Sequence, residues 1–237
     1  MKQRSLNRGL ATVAVVLSIA GLIAINVIWL DGPAARHFQP RFGDPLHVIA
    51  ARWTDLGKAE PYFLVAAIAA FGAWLLGRFW KTQERVLLKV RNLGVQALAM
   101  FLFSGILVQL FKHIIGRKRP YAVADLSPHE FHPLTTNYEF HSMPSGHSQV
   151  VFSAATFLTI LWPKGLVLWY ALAALIAASR VITLNHWISD TIAGAFFGTA
   201  GALLAWRYLQ RTWFRVDAVS SRNVFELIEA VNGWRRR

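Results

Sequence analysis

Apolar residues run through this chain in long blocks separated by short charged segments, not in the strict alternation of a half-buried strand. The first block, Gly9 to Leu30, holds 22 residues without a formal charge. At 1.5 Å per residue, a helix of that length crosses a bilayer core of about 30 Å. Lys2, Arg4 and Arg8 precede it. A secretory signal has an apolar region of only about 7–15 residues, so this block is expected to remain as a first helix. Five more follow, at residues 61–77, 92–111, 148–162, 166–179 and 189–206. Several are short for a span, so their helices are expected to extend into the flanking polar residues. Pro163-Lys164-Gly165 reads as a tight turn between antiparallel neighbours. The pattern predicts an all-α membrane protein, a single domain over 1–237 with six transmembrane helices. Residues 31–60 are too polar to span and read as an external interfacial loop. Residues 207–237 read as a cytoplasmic tail, in which Val224, Phe225, Leu227, Ile228, Val231 and Trp234 alternate with charges as in an interfacial amphipathic helix.

Composition sharpens this. Hydrophobic residues make up 55% and charged residues only 16%, against about a quarter charged in a soluble domain. The net charge is nevertheless +13, which suits either a nucleic-acid surface or basic cytoplasmic loops. Position separates the two. With the N-terminus inside, residues 1–8, 78–91, 163–165 and 207–237 are cytoplasmic and carry 16 of the 25 Lys and Arg. In the first external loop Arg36, Arg41, Arg52 and Lys58 are balanced by Asp31, Asp44, Asp55 and Glu60. The excess is thus a topology signal, both termini are cytoplasmic, and no nucleic-acid partner is expected. Trp29, Trp80, Trp162, Trp187, Trp206 and Trp213 fall near span ends, where an amphipathic ring prefers the interface. The absence of cysteine removes disulfides, thiolate metal sites and thiol nucleophiles.

The basic residues that break the inside rule are Lys112, Arg117, Lys118, Arg119 and Arg180, and His113, His129, His132, His141, His147 and His186 lie in the same region. Cations and imidazoles at the mouth of a helical bundle suit an anionic substrate and proton transfer or attack. Three strings stand out. Lys112 is followed by six residues, then Arg119-Pro120; Pro144-Ser145-Gly146-His147 enters the fourth block; Ser179-Arg180 is followed by His186 and Asp190. All three emerge on the external side of the topology that length and charge define.

These strings resemble the three signature motifs of the type 2 phosphatidic acid phosphatase family, whose wider superfamily includes vanadium haloperoxidases. All eleven specified positions match in order. The resemblance covers residues 112–190 and the six-span layout, and implies a helical-bundle phosphatase core. It implies that Lys112, Arg119 and Arg180 neutralise the phosphoryl oxygens, with the guanidiniums gripping two oxygens at once. The Ser145 hydroxyl and the backbone N–H groups at Gly146 sit at a helix start, where an anion is favoured. His186 is the expected nucleophile, forming a phosphohistidine. Asp190, four residues on, shares its helix face and can hold the imidazole tautomer. His147 protonates the leaving alcohol and then activates water. The resemblance requires no metal and no cofactor. His113, Arg117 and Lys118 fall between the motif positions, and they and His129, His132 and His141 read as loop polarity.

The function implied is hydrolysis of a phosphomonoester or diphosphate on a membrane lipid at the outer, periplasmic face of a bacterial-type plasma membrane. Substrates suggested by the resemblance are phosphatidylglycerophosphate, phosphatidic acid, undecaprenyl diphosphate and lipid A 1-phosphate. Transfer of the phosphoryl group to a lipid acceptor is the related alternative. A metal-ion transporter using the histidines as ligands is the alternative from another class. It expects ionisable residues within the spans, which contain almost none.

Overall fold

Inside a bilayer no water is available to hydrogen-bond the backbone, so each spanning segment must satisfy its own N–H and C=O groups. The computed structural model answers this with helices alone. It describes residues 2–39, 44–80 and 83–212, and among them there is no strand, only an isolated bridge between Arg117 and Phe131. The helices are α1 (Lys2–Ile25), α2 (Asp31–His37), α3 (Pro45–Asp55), α4 (Ala59–Ala67), α5 (Ala73–Leu76), α6 (Glu84–Ile115), α7 (Gly146–Leu161), α8 (Leu166–Ile182) and α9 (Ile188–Leu209). Single π-helical stretches, Asn26–Leu30 and Ile68–Gly72, join α1 to α2 and α4 to α5. By length and composition, five helical stretches can cross a membrane: Thr12–His37, Pro45–Leu76, Glu84–Ile115, Pro163–Ile182 and Ile188–Leu209. Gly146–Leu161 is a shorter apolar helix of 16 residues.

Two boundaries differ from the apolar blocks. The third block grows into a 32-residue helix, because the charged run 84–91 continues α6 beyond its apolar stretch. The segment 31–60, expected as a loop, carries α2 and α3. Asp44 caps α3 by accepting from Leu46 N at 2.9 Å, with Pro45 at its first position, a start signal written in the sequence. The amphipathic pattern of the tail and Trp213 lie outside the described residues.

The bundle is apolar on its outside. Leu17, Trp29 and Val167 are 65%, 70% and 79% exposed, which suits a lipid-facing surface. Its interior combines an apolar core, with Met100, Phe101, Val150 and Ile176 buried, with small and polar side chains. α7 packs on α6, α8 and α9, and α9 also packs on α6. A Cβ on Gly194 would lie 2.4 Å from Ser145 O, and one on Gly198 would lie 2.4 Å from Gln149 O, so these glycines set the close approach of α9 to α7. Ser104 Oγ and Ser153 Oγ are 2.8 Å apart, Gln149 Nε2 donates to Ser104 Oγ at 2.7 Å, and Ser153 Oγ donates to Gly198 O at 2.9 Å. That network ties α6, α7 and α9 together at mid-bundle.

Gly116 ends α6 in a left-handed conformation (φ 58°), its N–H closing on Lys112 O at 2.9 Å. A Cβ there would lie 1.9 Å from His132 O, so only glycine allows the sharp turn after Lys112. Gly116→Ala is expected to cost about 1–3 kcal/mol from strain at such a position, plus displacement of the 130s loop. Thermal unfolding in detergent measures it, and an unchanged midpoint would refute this role for Gly116.

Candidate active site

The ends of four helices meet at one mouth. Lys112 lies in the last turn of α6, His147 in the first turn of α7, Arg180 in the last turn of α8 and Asp190 in the first turn of α9. Backbone bonds join the segments that carry them. Ser145 N donates to Asp190 O at 2.9 Å, and the N–H groups of Asn185 and His186 both return to Arg180 O, at 3.0 and 3.1 Å. A cavity of about 260 Å³ opens between Lys112, Arg119, Gly146, His147, Arg180 and His186, with Gln109, Tyr138 and His141 completing its wall. Ser145 is fully buried and its Oγ accepts from Ser148 N at 3.3 Å, capping α7. Asp190 is likewise fully buried.

The three cations at the cavity share an unusual environment. Lys112 Nζ donates to His141 O at 2.7 Å. Arg119 donates to the carbonyls of Tyr138, Asn185 and His141 at 3.4, 3.2 and 3.2 Å, its guanidinium lying 4.2 Å from the centre of the Tyr138 ring. Arg180 Nη1 donates to Thr54 Oγ1 at 2.9 Å, and its buried Nε has no partner. Lys112, Arg119 and Arg180 are only 6%, 3% and 6% exposed. Among the described residues none of them forms a salt bridge. Buried cations held only by neutral dipoles lack the counter-charge that burial demands, and an anion in the cavity would supply it.

His186 is 2% exposed, and its Nδ1 lies 3.7 Å from Asp190 Oδ2. This is too long for a hydrogen bond, and Nδ1 has no other partner. Nε2 is on the opposite side of the ring, and His186 lines the cavity. Burial pushes the His186 pKa well below its ordinary value; Asp190 opposes this, while Lys112, Arg119 and Arg180 add to it. The imidazole is therefore neutral near pH 7, with a free lone pair, as a nucleophile requires.

The oxygens of Asp190 are already engaged. Oδ2 accepts from Trp187 N at 2.9 Å and from Ser142 Oγ, and Oδ1 accepts from Arg117 Nη1 at 2.7 Å. Arg117 departs furthest from its sequence reading: instead of loop polarity it is fully buried, and its Nη2 donates to Asp31 Oδ2 at 2.8 Å. Asp31, counted in the sequence as balancing a basic loop, is 1% exposed. Trp187, expected at the membrane interface, is 1% exposed and packs 5.2 Å from the Arg117 guanidinium. His129 and His132 are exposed, Lys118 pairs with Glu130 at 2.7 Å, and the His113 ring lies tilted against that of His141 with centres 4.4 Å apart. Among the described residues no three His, Asp or Glu side chains gather as a metal site would require.

The segment 44–60 also reaches the site. Thr54 receives hydrogen bonds from both Arg180 and Ser179. Gly57 presses against His147: a Cβ there would lie 2.9 Å from His147 Cδ2 and 3.0 Å from Ile176 Cγ2. No motif flags either residue, because Thr54 meets partners 125 and 126 positions away and Gly57 meets His147 across a comparably long stretch of chain.

The arrangement is a helical bundle with a cationic, histidine-containing mouth, and known structures share its fold. A crystal structure of a transmembrane PAP2 type phosphatidylglycerolphosphate phosphatase from Bacillus subtilis matches with a TM-score of 0.54 and 20% identity over 82% of this chain and 96% of that one. The Aquifex aeolicus LpxE crystal structure matches with a TM-score of 0.50 and 20% identity over 76% and 96%. In sequence, the PAP2 superfamily model matches residues 93–214. A lipid A 1-phosphatase of Rhizobium etli is 36% identical over 184 residues, covering 77% of this chain and 78% of that protein. An undecaprenyl-diphosphatase of Sulfolobus acidocaldarius is 29% identical over 112 residues, 47% of this chain and 52% of that protein. The chain belongs to the PAP2 superfamily. It is a multi-pass membrane protein and a phosphoric-ester hydrolase, a lipid phosphatase of the PAP2 type.

Two outcomes follow from this geometry. Gly57→Val should displace the His147 ring from the cavity wall and lower kcat about tenfold or more, since a ~1 Å misplacement at a reaction centre can cost about a hundredfold; wild-type kcat would refute the contact's importance. In a histidine-labelled NMR titration, His186 should titrate below its ordinary 6.5, because folding favours the neutral ring. A midpoint at or above that value would contradict the burial argument.

Proposed function

We propose that the protein hydrolyses a phosphate or diphosphate group on a membrane lipid at the outer face, through a phosphohistidine on His186. The observation that carries this is the trio of buried cations, Lys112, Arg119 and Arg180, around one cavity and without a carboxylate partner. A phosphoryl group brings the charge they lack. The donors at Gly146 on the N-terminus of α7 add to that binding.

His186 Nε2 attacks phosphorus, a P–N bond forms and the P–O bond to the lipid breaks. His147 gives its proton to the departing oxygen. Water then attacks phosphorus, its proton passes to His147, the P–N bond breaks and inorganic phosphate leaves. The Asp190 carboxylate, 3.7 Å from His186 Nδ1, stabilises the positive charge on the ring while the P–N bond exists. Positioning and charge neutralisation supply most of the catalysis in phosphoryl transfer, and here the clamp supplies that charge from side chains.

Lipid A 1-phosphate is the first substrate to test, because the relative of that activity aligns over most of this chain; undecaprenyl diphosphate, phosphatidylglycerophosphate and phosphatidic acid complete the set. The bias of 16 of 25 basic residues to one side supports an outward-facing mouth. Purified protein should release inorganic phosphate from at least one of these lipids in detergent micelles with no acceptor present. His186→Ala should lose several orders of magnitude in kcat, as removal of a covalent nucleophile does. Strict dependence on an acceptor would establish transfer instead of hydrolysis, and normal turnover by His186→Ala would overturn the mechanism.

A further inference from the structure

We infer that Asp31 and Arg117 are positioning residues that brace Asp190 behind His186, so that the end of the first membrane helix is part of the catalytic apparatus. This rests on the proposed role of His186. Asp31 lies outside the residues 93–214 that the superfamily model matches, and Arg117 falls between the fixed positions of the first motif.

Arg117 uses every N–H it has. Nε donates to Pro128 O at 3.1 Å; Nη1 donates to Ser189 Oγ at 2.6 Å and Asp190 Oδ1 at 2.7 Å; Nη2 donates to Asp31 Oδ2 at 2.8 Å and Pro128 O at 3.0 Å. The rings of Phe131 and Trp187 lie 5.6 and 5.2 Å from its guanidinium carbon, so the planar fork has no room to swing. Asp31 reinforces the same corner: its Oδ1 accepts from Ser189 N at 3.0 Å, and its Oδ2 also accepts from Ser189 Oγ. The N-terminal turn of α9, which carries Asp190, is thereby pinned to α2 and to the loop after α6.

The brace has a chemical purpose. Asp190 is a buried carboxylate near three cations that have no counter-ion, and an unrestrained carboxylate would turn onto them. It would then occupy the place of the phosphoryl group and abandon His186. Two bonds to Oδ2, from Trp187 N and Ser142 Oγ, and one to Oδ1 from Arg117 prevent this. Arg117 is itself shared between two carboxylates, so the trio retains one net negative charge. That charge faces the imidazole, which becomes positive when phosphorus is attacked.

The test uses full-length protein in detergent and the lipid of the set that releases phosphate fastest. Arg117→Gln is expected to lower kcat about tenfold or more with KM changed less than about threefold, the pattern of lost transition-state stabilisation. Arg117→Lys should recover part of the loss, because one ammonium can meet one carboxylate but not both. Asp190→Asn should cost much less in the Arg117→Gln background than alone, because the two residues act through the same contact. Asp31→Asn, which preserves shape, should show the same kcat loss at smaller size and serves if Arg117→Gln fails to fold. Wild-type kcat in both variants, additive losses in the cycle, or a loss matched by the drop in folded fraction would each overturn the brace. An active His186→Ala would instead overturn the underlying mechanism, whatever Arg117 does.

Discussion

A positive charge inside a bundle of apolar helices must find a negative partner or be held at a cost of several kcal/mol. This protein resolves the problem in two opposite ways within one mouth. Arg117 is overpaired, held between Asp31 and Asp190 with all of its donors used. Lys112, Arg119 and Arg180 are underpaired, resting on carbonyls and one hydroxyl. The first arrangement has the character of an anchor and the second that of a binding site.

The rest of the molecule serves that contrast. The Gly116 turn lets Lys112 close a helix and Arg119 return to the same cavity within a few residues. The close approach of α9 to α7 at Gly194 and Gly198 brings the third motif against the second. Polar bonds at mid-bundle hold the helices in register, and the apolar exterior leaves the mouth as the polar end of an otherwise greasy body. Under the proposed function, a lipid substrate keeps its chains beside the bundle while its phosphate enters the cavity between the three cations.

Much of this was legible in the sequence, because chemistry-bearing residues at fixed short spacings report on local geometry. The six apolar blocks fall on α1, on the α4–α5 stretch and on α6, α7, α8 and α9, and the three strings contain Lys112, Arg119, His147, Arg180, His186 and Asp190, which the fold brings to one place. What escaped was long-range. Asp31 and Arg117 meet across 86 positions, and nothing in the immediate surroundings of either residue distinguishes it from a solvated loop charge. Trp187 has the position of an interfacial ring but fills the space beside Arg117. The helix α3 was hidden by mixed polarity, although Asp44 and Pro45 carry its start signal, and the extension of α6 was hidden because hydropathy reports apolar length and not helix length.

Lys112, Arg119 and Arg180, lacking a counter-charge, should bind inorganic phosphate in a titration. A ligand that binds only the folded state stabilises it by about 2.7 kcal/mol at a hundred times its Kd. The melting temperature of the detergent-solubilised protein should rise with phosphate concentration at constant ionic strength, and the rise should vanish in Arg180→Gln. A wild-type melting temperature indifferent to phosphate, or an equal rise in Arg180→Gln, would show that the three cations do not form an anion site.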